Sequence, residues 1–496
     1  MKGIKVTLTV AAAALLLSSP AMAFHSGGVA DCDGCHTMHN SLDGAAMTGT
    51  NSEGLNTAGS TFVNAVGKAA KFLLRGSDQS STCLNCHGDP SPGSYHISTP
   101  GAVITAGGQP VQYTPGGDFA WLKKTFTWTN STSDTAALSE EGETHGHNIV
   151  AADFGYVADA GKAGNVAPTG FGYAGIPYPV SALGCSSCHD PHGRYRRTTD
   201  AADPGLTGTA ALYTTTGAPI WASGSYGATV LGTFGTFATA KAVGSYRILG
   251  GIGYIPKSLG DTSAATPFAY NPPTAVAPST YNVSESVAQV RVAYGKGMSE
   301  WCANCHAGMH NSAYVTGVAD QVHPAGNGAV LQTSIANIAA NYNAYKMSGD
   351  ATGVVASSYN TLVPFETQVT TIGATGLTSY AGKKNFGTTS GNITKGADAA
   401  STVMCLSCHR AHASGFPSML RYQIENEFTT LADSTGAVVY PGTDLADPAT
   451  GAFSYSKART NRGRVQADYQ AAYNGRPATQ FAAFQRALCN KCHMKD

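Results

Sequence analysis

Cys302-Ala303-Asn304-Cys305-His306 is one of six copies of a Cys-x-x-Cys-His pattern, and the reading of this chain turns on them. The others are Cys32-Asp33-Gly34-Cys35-His36, Cys83-Leu84-Asn85-Cys86-His87, Cys185-Ser186-Ser187-Cys188-His189, Cys405-Leu406-Ser407-Cys408-His409 and Cys489-Asn490-Lys491-Cys492-His493. Together they use all 12 cysteines. Zinc ribbons and thioredoxin-like pairs also contain Cys-x-x-Cys, but neither needs histidine directly after the second cysteine. Histidine is only 15 of 496 residues, so six such placements by chance would arise on the order of once in 10^9. A disulfide framework has no reason to keep every cysteine in this pattern. The spacing is that of c-type haem attachment, in which two thiols add to the porphyrin vinyl groups and the adjacent imidazole becomes the proximal iron ligand. The chain is therefore expected to hold six haem c groups on these twelve cysteines, with His36, His87, His189, His306, His409 and His493 as proximal ligands.

The N-terminus points to export. Lys2 and Lys5 precede an apolar run from Val6 to Leu17, then Ser18-Ser19-Pro20 and Ala21-Met22-Ala23. This has the form of a secretory signal over residues 1–23, with the mature chain starting at Phe24. The run is too short for a membrane span, and no later stretch approaches eighteen apolar residues. Only 12% of the chain is charged, half the usual proportion. Removing Lys2 and Lys5 from 30 basic residues leaves 28 against 30 acidic ones, a formal charge of −2. Six oxidised haems with ionised propionates take this to about −8, and full reduction to about −14. No basic patch suggests nucleic acid. Sparse charge also gives little repulsion against self-association.

The composition is unlike that of an ordinary enzyme core, with 59 glycines, 23 prolines and long Thr/Ser/Ala/Gly stretches such as 207–239. Such sequence does not sustain regular elements. The expected fold is mostly irregular coil with a few short helices and minimal β structure, its core a chain of six stacked haems wrapped by polypeptide. Helices are expected at Thr333 to Met347, Ser418 to Leu431, Val465 to Tyr473 and Ala478 to Cys492, and short strands at Val111 to Tyr113 and Lys124 to Trp128. Haem motifs recur throughout with no separating linker, so residues 24–496 read as a single domain.

Nine further histidines exceed the six needed to give every iron a second imidazole. His36/His39, His189/His192 and His409/His412 are spaced by three, and His306/His310 by four. On one short helix such a residue lies on the proximal side and does not reach the far face of its own haem. As ligands, His39, His192, His310 and His412 must each serve a different haem, clamping neighbours together. His25, His96, His147 and His323 are the loop candidates, with His145 competing with His147. With imidazole in surplus, Met38, Met298, Met309 and Met404 are expected to pack rather than ligate. The expectation is six bis-histidine haems of low potential.

Phe24-His25-Ser26-Gly27-Gly28 and His39-Asn40-Ser41, flanking the first motif, resemble the start of the OmcS-type hexahaem c-type cytochromes, a family of filament-forming extracellular "nanowire" proteins. The likeness continues through residues 185–193 and 245–251, Met298-Ser299-Glu300-Trp301 before the fourth motif, residues 323–328 and 405–416, and Arg486-Ala487-Leu488 before the sixth. It spans the mature chain, while the Thr/Gly/Ala-rich stretches near 50–70, 205–240 and 370–400 look diverged or lengthened. The resemblance implies a coil-rich subunit wound on alternating parallel and T-shaped haem pairs, with an end haem stacking on the first haem of the next subunit. It also implies that His39 crosses to the fifth-motif haem of a neighbouring subunit.

The layout agrees with a wire: haem motifs near both ends of the mature chain allow a head-to-tail contact that does not close, which gives a filament. The leading expectation is an extracellular electron carrier on the cell outer surface. It would polymerise with itself, take electrons from other outer-surface or outer-membrane cytochromes and deliver them to Fe(III) oxides, other cells or electrodes. One alternative is a multihaem reductase of nitrite, hydroxylamine or a sulfur oxyanion; such enzymes keep an open haem, often with an altered motif, and none of the six motifs is altered. The other is a monomeric periplasmic electron shuttle.

Overall fold

Two thiols that must reach one porphyrin edge need their side chains on one face, and residues i and i+3 of a helical turn supply that. The computed structural model describes residues 32–36, 41–42, 45–46, 74–89, 96–134, 136–159, 161, 178–191, 197–198, 218–219, 249–251, 253–256, 267–270, 272–273, 275–276, 293–306, 325–326, 363–366, 401–447, 449–481, 483–485 and 487. Five of the six motifs fall within these residues, and each begins on a helical segment. Three segments are single turns, Cys32–Cys35, Cys185–Cys188 and Cys405–Cys408. The second and fourth motifs start on Gln79–His87 and Met298–Cys302. Asp78 caps the first of these two, accepting the Ser81 N–H at 2.8 Å. A carboxylate from far along the chain heads the other, Glu366 Oε1 accepting the Met298 N–H at 2.5 Å.

Most of the other described residues are coil, as the composition predicts. Among the described residues strands are two or three residues long and pair only as isolated antiparallel ribbons. Phe126–Trp128 against Leu138–Glu140 is the longest, and it places a strand within the expected Lys124 to Trp128. Gln466–Ala472 is helical within the expected Val465 to Tyr473. Val111 to Tyr113 forms no strand; the Gln112 N–H goes to the Asp118 carboxylate at 3.0 Å instead of to a ladder.

Two expected helices are corrected. Ser418 to Leu431 is a short 3-10 turn, Pro417–Met419, followed by bends. Ser418 and Met419 take positive φ, 56° and 59°, which no helix tolerates. The described part of Ala478 to Cys492 is one 3-10 turn, Ala478–Gln480. Beyond it Phe484 has φ 59°, and Ala487 N–H bonds the Glu427 carbonyl at 2.8 Å. In both segments apolar spacing serves packing on neighbouring coil, which needs no helix. Thr333 to Met347 lies outside the described residues.

Apolar side chains collect in clusters around the motifs. Tyr254, Phe268, Met298, Trp301, Met404 and Leu406 pack between the third, fourth and fifth motifs. Met298 and Met404 are thus packing residues, as expected; Met38 and Met309 lie outside the described residues. A second cluster is aromatic, with Tyr440, Tyr469 and Tyr473 stacked at 5.2 to 6.2 Å between ring centres. Burial raises all three hydroxyls above the ordinary tyrosine range, and outweighs the opposing charges of Arg476 on Tyr440 and of Arg464 on Tyr469. Among the described residues no helix is long and apolar enough to cross a membrane.

Candidate haem centres

After the second cysteine the chain leaves the helical turn. His189 and His409 are extended, with φ/ψ of −96°/135° and −113°/159°, and each N–H closes the turn onto the first cysteine's carbonyl at 2.9 Å. A strap then fixes the histidine. His36 pairs with Leu74, His189 with Leu249 and His409 with Leu420 in isolated bridges. The next N–H in each strap, of Arg75, Gly250 and Arg421, donates to the carbonyl of the second cysteine at 2.9, 2.8 and 2.7 Å. The sequence carries this as a repeated pair of residues, Leu74-Arg75, Leu249-Gly250 and Leu420-Arg421. The pair lies 11 to 60 residues downstream of the motif it serves, too far for local spacing to reveal. The left-handed turn at Ser418 has its use here, since its carbonyl accepts the His409 Nδ1–H at 2.7 Å.

The fifth motif continues as coil rather than helix, with bends at Ala411 and His412 and Ala413 in isolated bridges to Gly117 and Gly146, so His412 leaves its own motif by a different route from the one expected. This segment is threaded between two glycine segments. His412 N–H donates to Gly116 O at 2.8 Å, His412 O accepts the His147 N–H at 3.0 Å, and Ser414 N–H donates to His145 O at 3.0 Å. The threading is tight. A Cβ on Gly116 would sit 2.6 Å from His412 Nδ1, and one on Gly146 2.5 Å from His412 O. Phe119 stacks on the His412 ring, 4.6 Å between centres and 22° between planes.

This geometry brings imidazoles from distant parts of the chain close together, their planes tilted by 55° and 41°. His412 lies opposite His189, ring centres 6.5 Å apart, and His147 lies opposite His306 at 6.1 Å. Two metal–imidazole bonds of about 2.0 Å, with roughly 1.1 Å from each nitrogen to its ring centre, put coaxial imidazoles about 6.2 Å apart. Both separations therefore fit a haem iron between the rings. His147 Nδ1–H donates to Ala411 O at 2.7 Å, which turns Nε2 outward as metal-bound histidines require. Burial, with His147 and His409 nearby, pushes His306 down to about 4. Burial, with His189, His147 and His87 nearby, pushes His412 down to about 3. Burial also lowers His147, against the Ala411 hydrogen bond. Neutral imidazoles with free lone pairs are what ligation needs.

His145 is differently placed. It is fully buried, with Nδ1 3.0 Å from Trp121 O and Nε2 2.8 Å from Glu140 Oε1. Both ring nitrogens are engaged. Glu140 is in turn paired with the buried Arg464 and with Arg462. Burial opposes ionisation of Glu140, but the His145 hydrogen bond and the Arg464 charge overcome it and hold the carboxyl at about 2. His96 is buried, its Nε2 3.8 Å from Asp89. His25, His39, His192, His310, His323 and His493, with Cys489 and Cys492, lie outside the described residues.

Successive motifs also touch directly. Cys83 is in side-chain contact with Cys185, and Cys302 with Cys405. Between the third and fourth motifs, Trp301 Nε1–H donates to Gly250 O at 2.8 Å while Gly250 N–H donates to Cys188 O at 2.8 Å. Four motifs are thus linked in sequence order.

No protein-family model matches the chain. It is 51% identical over 500 residues, covering 100% of both chains, to the C-type cytochrome OmcS of Geobacter sulfurreducens. A cryo-EM structure of OmcS nanowires from that organism superposes with a TM-score of 0.69 at 48% identity. A second structure, the outer membrane cytochrome S filament from the same organism, gives 0.67 at 44%. Each covers 95% of this chain and 100% of its own. Paired cysteines on helical turns, imidazoles facing across an iron's width and full-length identity of this degree agree: the chain belongs to the OmcS-type c-type cytochromes.

Proposed function

We propose that this protein conducts electrons outside the cell through six covalently bound, bis-histidine c-type haems, its subunits joined head to tail in a filament. The observation that carries this reading is the two pairs of neighbouring imidazoles at an iron's spacing, His189 with His412 and His306 with His147, each drawn from different parts of the chain. The two distal residues are joined by the His147 N–H to His412 O bond, so neighbouring centres are held by one hydrogen-bonded backbone unit. Bound haem supplies reversible one-electron chemistry at iron. The polypeptide's part is to saturate each iron and hold the centres in line. Full coordination leaves no position for substrate, which favours a carrier over a reductase.

In the ligand set we propose, His412 serves the third-motif haem and His147 the fourth. His25, His39, His96, His192, His310 and His323 are the candidates for the remaining irons, with His39 serving the fifth-motif haem of a neighbouring subunit. The bonds of His145 to Glu140 and Trp121 support leaving it out of this set. Assembly into filaments rests on the likeness to the OmcS nanowire structures. The proposed electron donors are other outer-surface or outer-membrane cytochromes, and the acceptors are Fe(III) oxides, other cells or electrodes. Pyridine haemochrome assay with carbon monoxide titration tests the ligation: six haems and no carbon monoxide binding are expected. Stoichiometric binding at one haem would favour a reductase.

A further inference from the structure

The second and fourth motifs share a longer spelling than the haem pattern requires. They read Ser80-Ser81-Thr82-Cys83-Leu84-Asn85-Cys86-His87 and Ser299-Glu300-Trp301-Cys302-Ala303-Asn304-Cys305-His306, a common Ser-x-x-Cys-x-Asn-Cys-His. The motifs that follow them share Cys-x-Ser-Cys-His, in Cys185–His189 and Cys405–His409. The first and last motifs have neither spelling, with Gly34 and Lys491 in place of that serine or asparagine.

The structure gives these letters one geometry used twice. Ser80 Oγ accepts the Cys185 N–H at 3.1 Å, and Ser299 Oγ accepts the Cys405 N–H at 3.1 Å. Both serines are buried. Ser299 Oγ also lies 3.5 Å from Cys405 Sγ. Within the following motif, Ser187 Oγ accepts the Gly184 N–H at 2.9 Å and Ser407 Oγ the Met404 N–H at 3.1 Å. At the same joint the first cysteines of the paired motifs meet, Cys83 with Cys185 and Cys302 with Cys405. Each serine therefore sits where two haem-bearing sulfurs come together, and holds the backbone of one motif against the helix of the other.

We propose that Ser80 and Ser299 are positioning residues that fix the approach of two successive haems, so that the chain contains two copies of a two-haem module, motifs two with three and four with five. This rests on the six-haem reading. The hydroxyl acts on the spacing and angle between neighbouring porphyrins and not on iron coordination.

The test is circular dichroism of the Soret band on full-length, haem-loaded protein, where a bisignate couplet reports coupling between adjacent haems. In the filament six haems per subunit make six neighbouring pairs, the sixth across the subunit joint. Ser299→Ala and Ser80→Ala are each expected to remove about one sixth of the couplet, and the double variant about one third, because the joints are independent. Haem content stays at six and absorbance stays low-spin. Ser299→Thr, which keeps the hydroxyl, restores the couplet. Unmoved couplets in both alanine variants with six haems bound would overturn the proposal, as would a threonine variant indistinguishable from alanine. Where one alanine variant loads fewer haems, the other site decides; haem loss at both shows a folding role and also overturns it. Wild-type protein with fewer than six haems would contradict the six-haem reading instead.

Discussion

Gly116→Ala is expected to strip one iron of its second imidazole without touching a ligand. The added Cβ would stand 2.6 Å from His412 Nδ1, against 3.4 Å or more for ordinary contact, so the ring must retreat by about 0.8 Å. It has nowhere to go. Its backbone is pinned by the Gly116 carbonyl at 2.8 Å on one side and the His147 N–H at 3.0 Å on the other, and Phe119 covers its face. A metal–nitrogen bond of about 2.0 Å does not stretch by that amount, so ligation should fail at the haem we propose His412 shares with His189. Overpacking of this kind costs about 1–3 kcal/mol. Carbon monoxide titration of the reduced protein should then find about one haem in six reactive, with a matching high-spin fraction when oxidised. His412→Ala should give the same fraction. A Gly116→Ala protein that binds six haems, stays fully low-spin and ignores carbon monoxide would refute the placement of His412.

Other outcomes follow from the same geometry. His147→Ala should open the fourth-motif haem to carbon monoxide, whereas His145→Ala should open none and instead lower stability by about 1.5–3 kcal/mol through the lost bond to a charged carboxylate; spectra and chemical denaturation of the two variants separate these roles. Glu140, held at about 2 against an ordinary 4.5, contributes about 3 kcal/mol that is fully present above pH 4.5 and lost as pH falls through 2. Glu140→Gln should therefore destabilise the neutral protein and flatten its acid unfolding over that window, read by tryptophan fluorescence. His39→Ala should keep six haems and lose polymerisation, seen by negative-stain microscopy; normal filaments from that variant would remove His39 from the subunit joint.

The sequence made the cofactor legible because thioether attachment demands fixed residue types at fixed spacing, and no other chemistry needs histidine after every second cysteine. The coil-rich fold was legible from the same cause, since glycine-rich sequence sustains few regular elements. It also showed that His412 must leave its own haem, but not that it would meet His189, 223 residues earlier. That pairing depends on Gly116 and Gly146 admitting the backbone of His412 and Ala413 between them, which no local pattern announces. The contacts that favour our proposed choice of His147 over His145 were likewise invisible, because they involve Glu140 and Arg464, 324 residues from that glutamate. The expected helix at Ser418 to Leu431 failed for an instructive reason. Its apolar spacing is real, but Leu420 and Arg421 are spent on strapping the fifth motif, and a left-handed Ser418 delivers a carbonyl to His409. In a chain built around cofactors, periodicity reports contact with neighbouring coil as readily as with a helix's own core.

Cryo-electron microscopy of the haem-loaded protein sheared from the cell surface tests the central claim most directly. Long filaments with an unbroken line of haems, six per subunit, with His189 and His412 on one iron and His306 and His147 on the next, are the expected result. Discrete particles, or a line interrupted by an iron lacking its second imidazole, would contradict it.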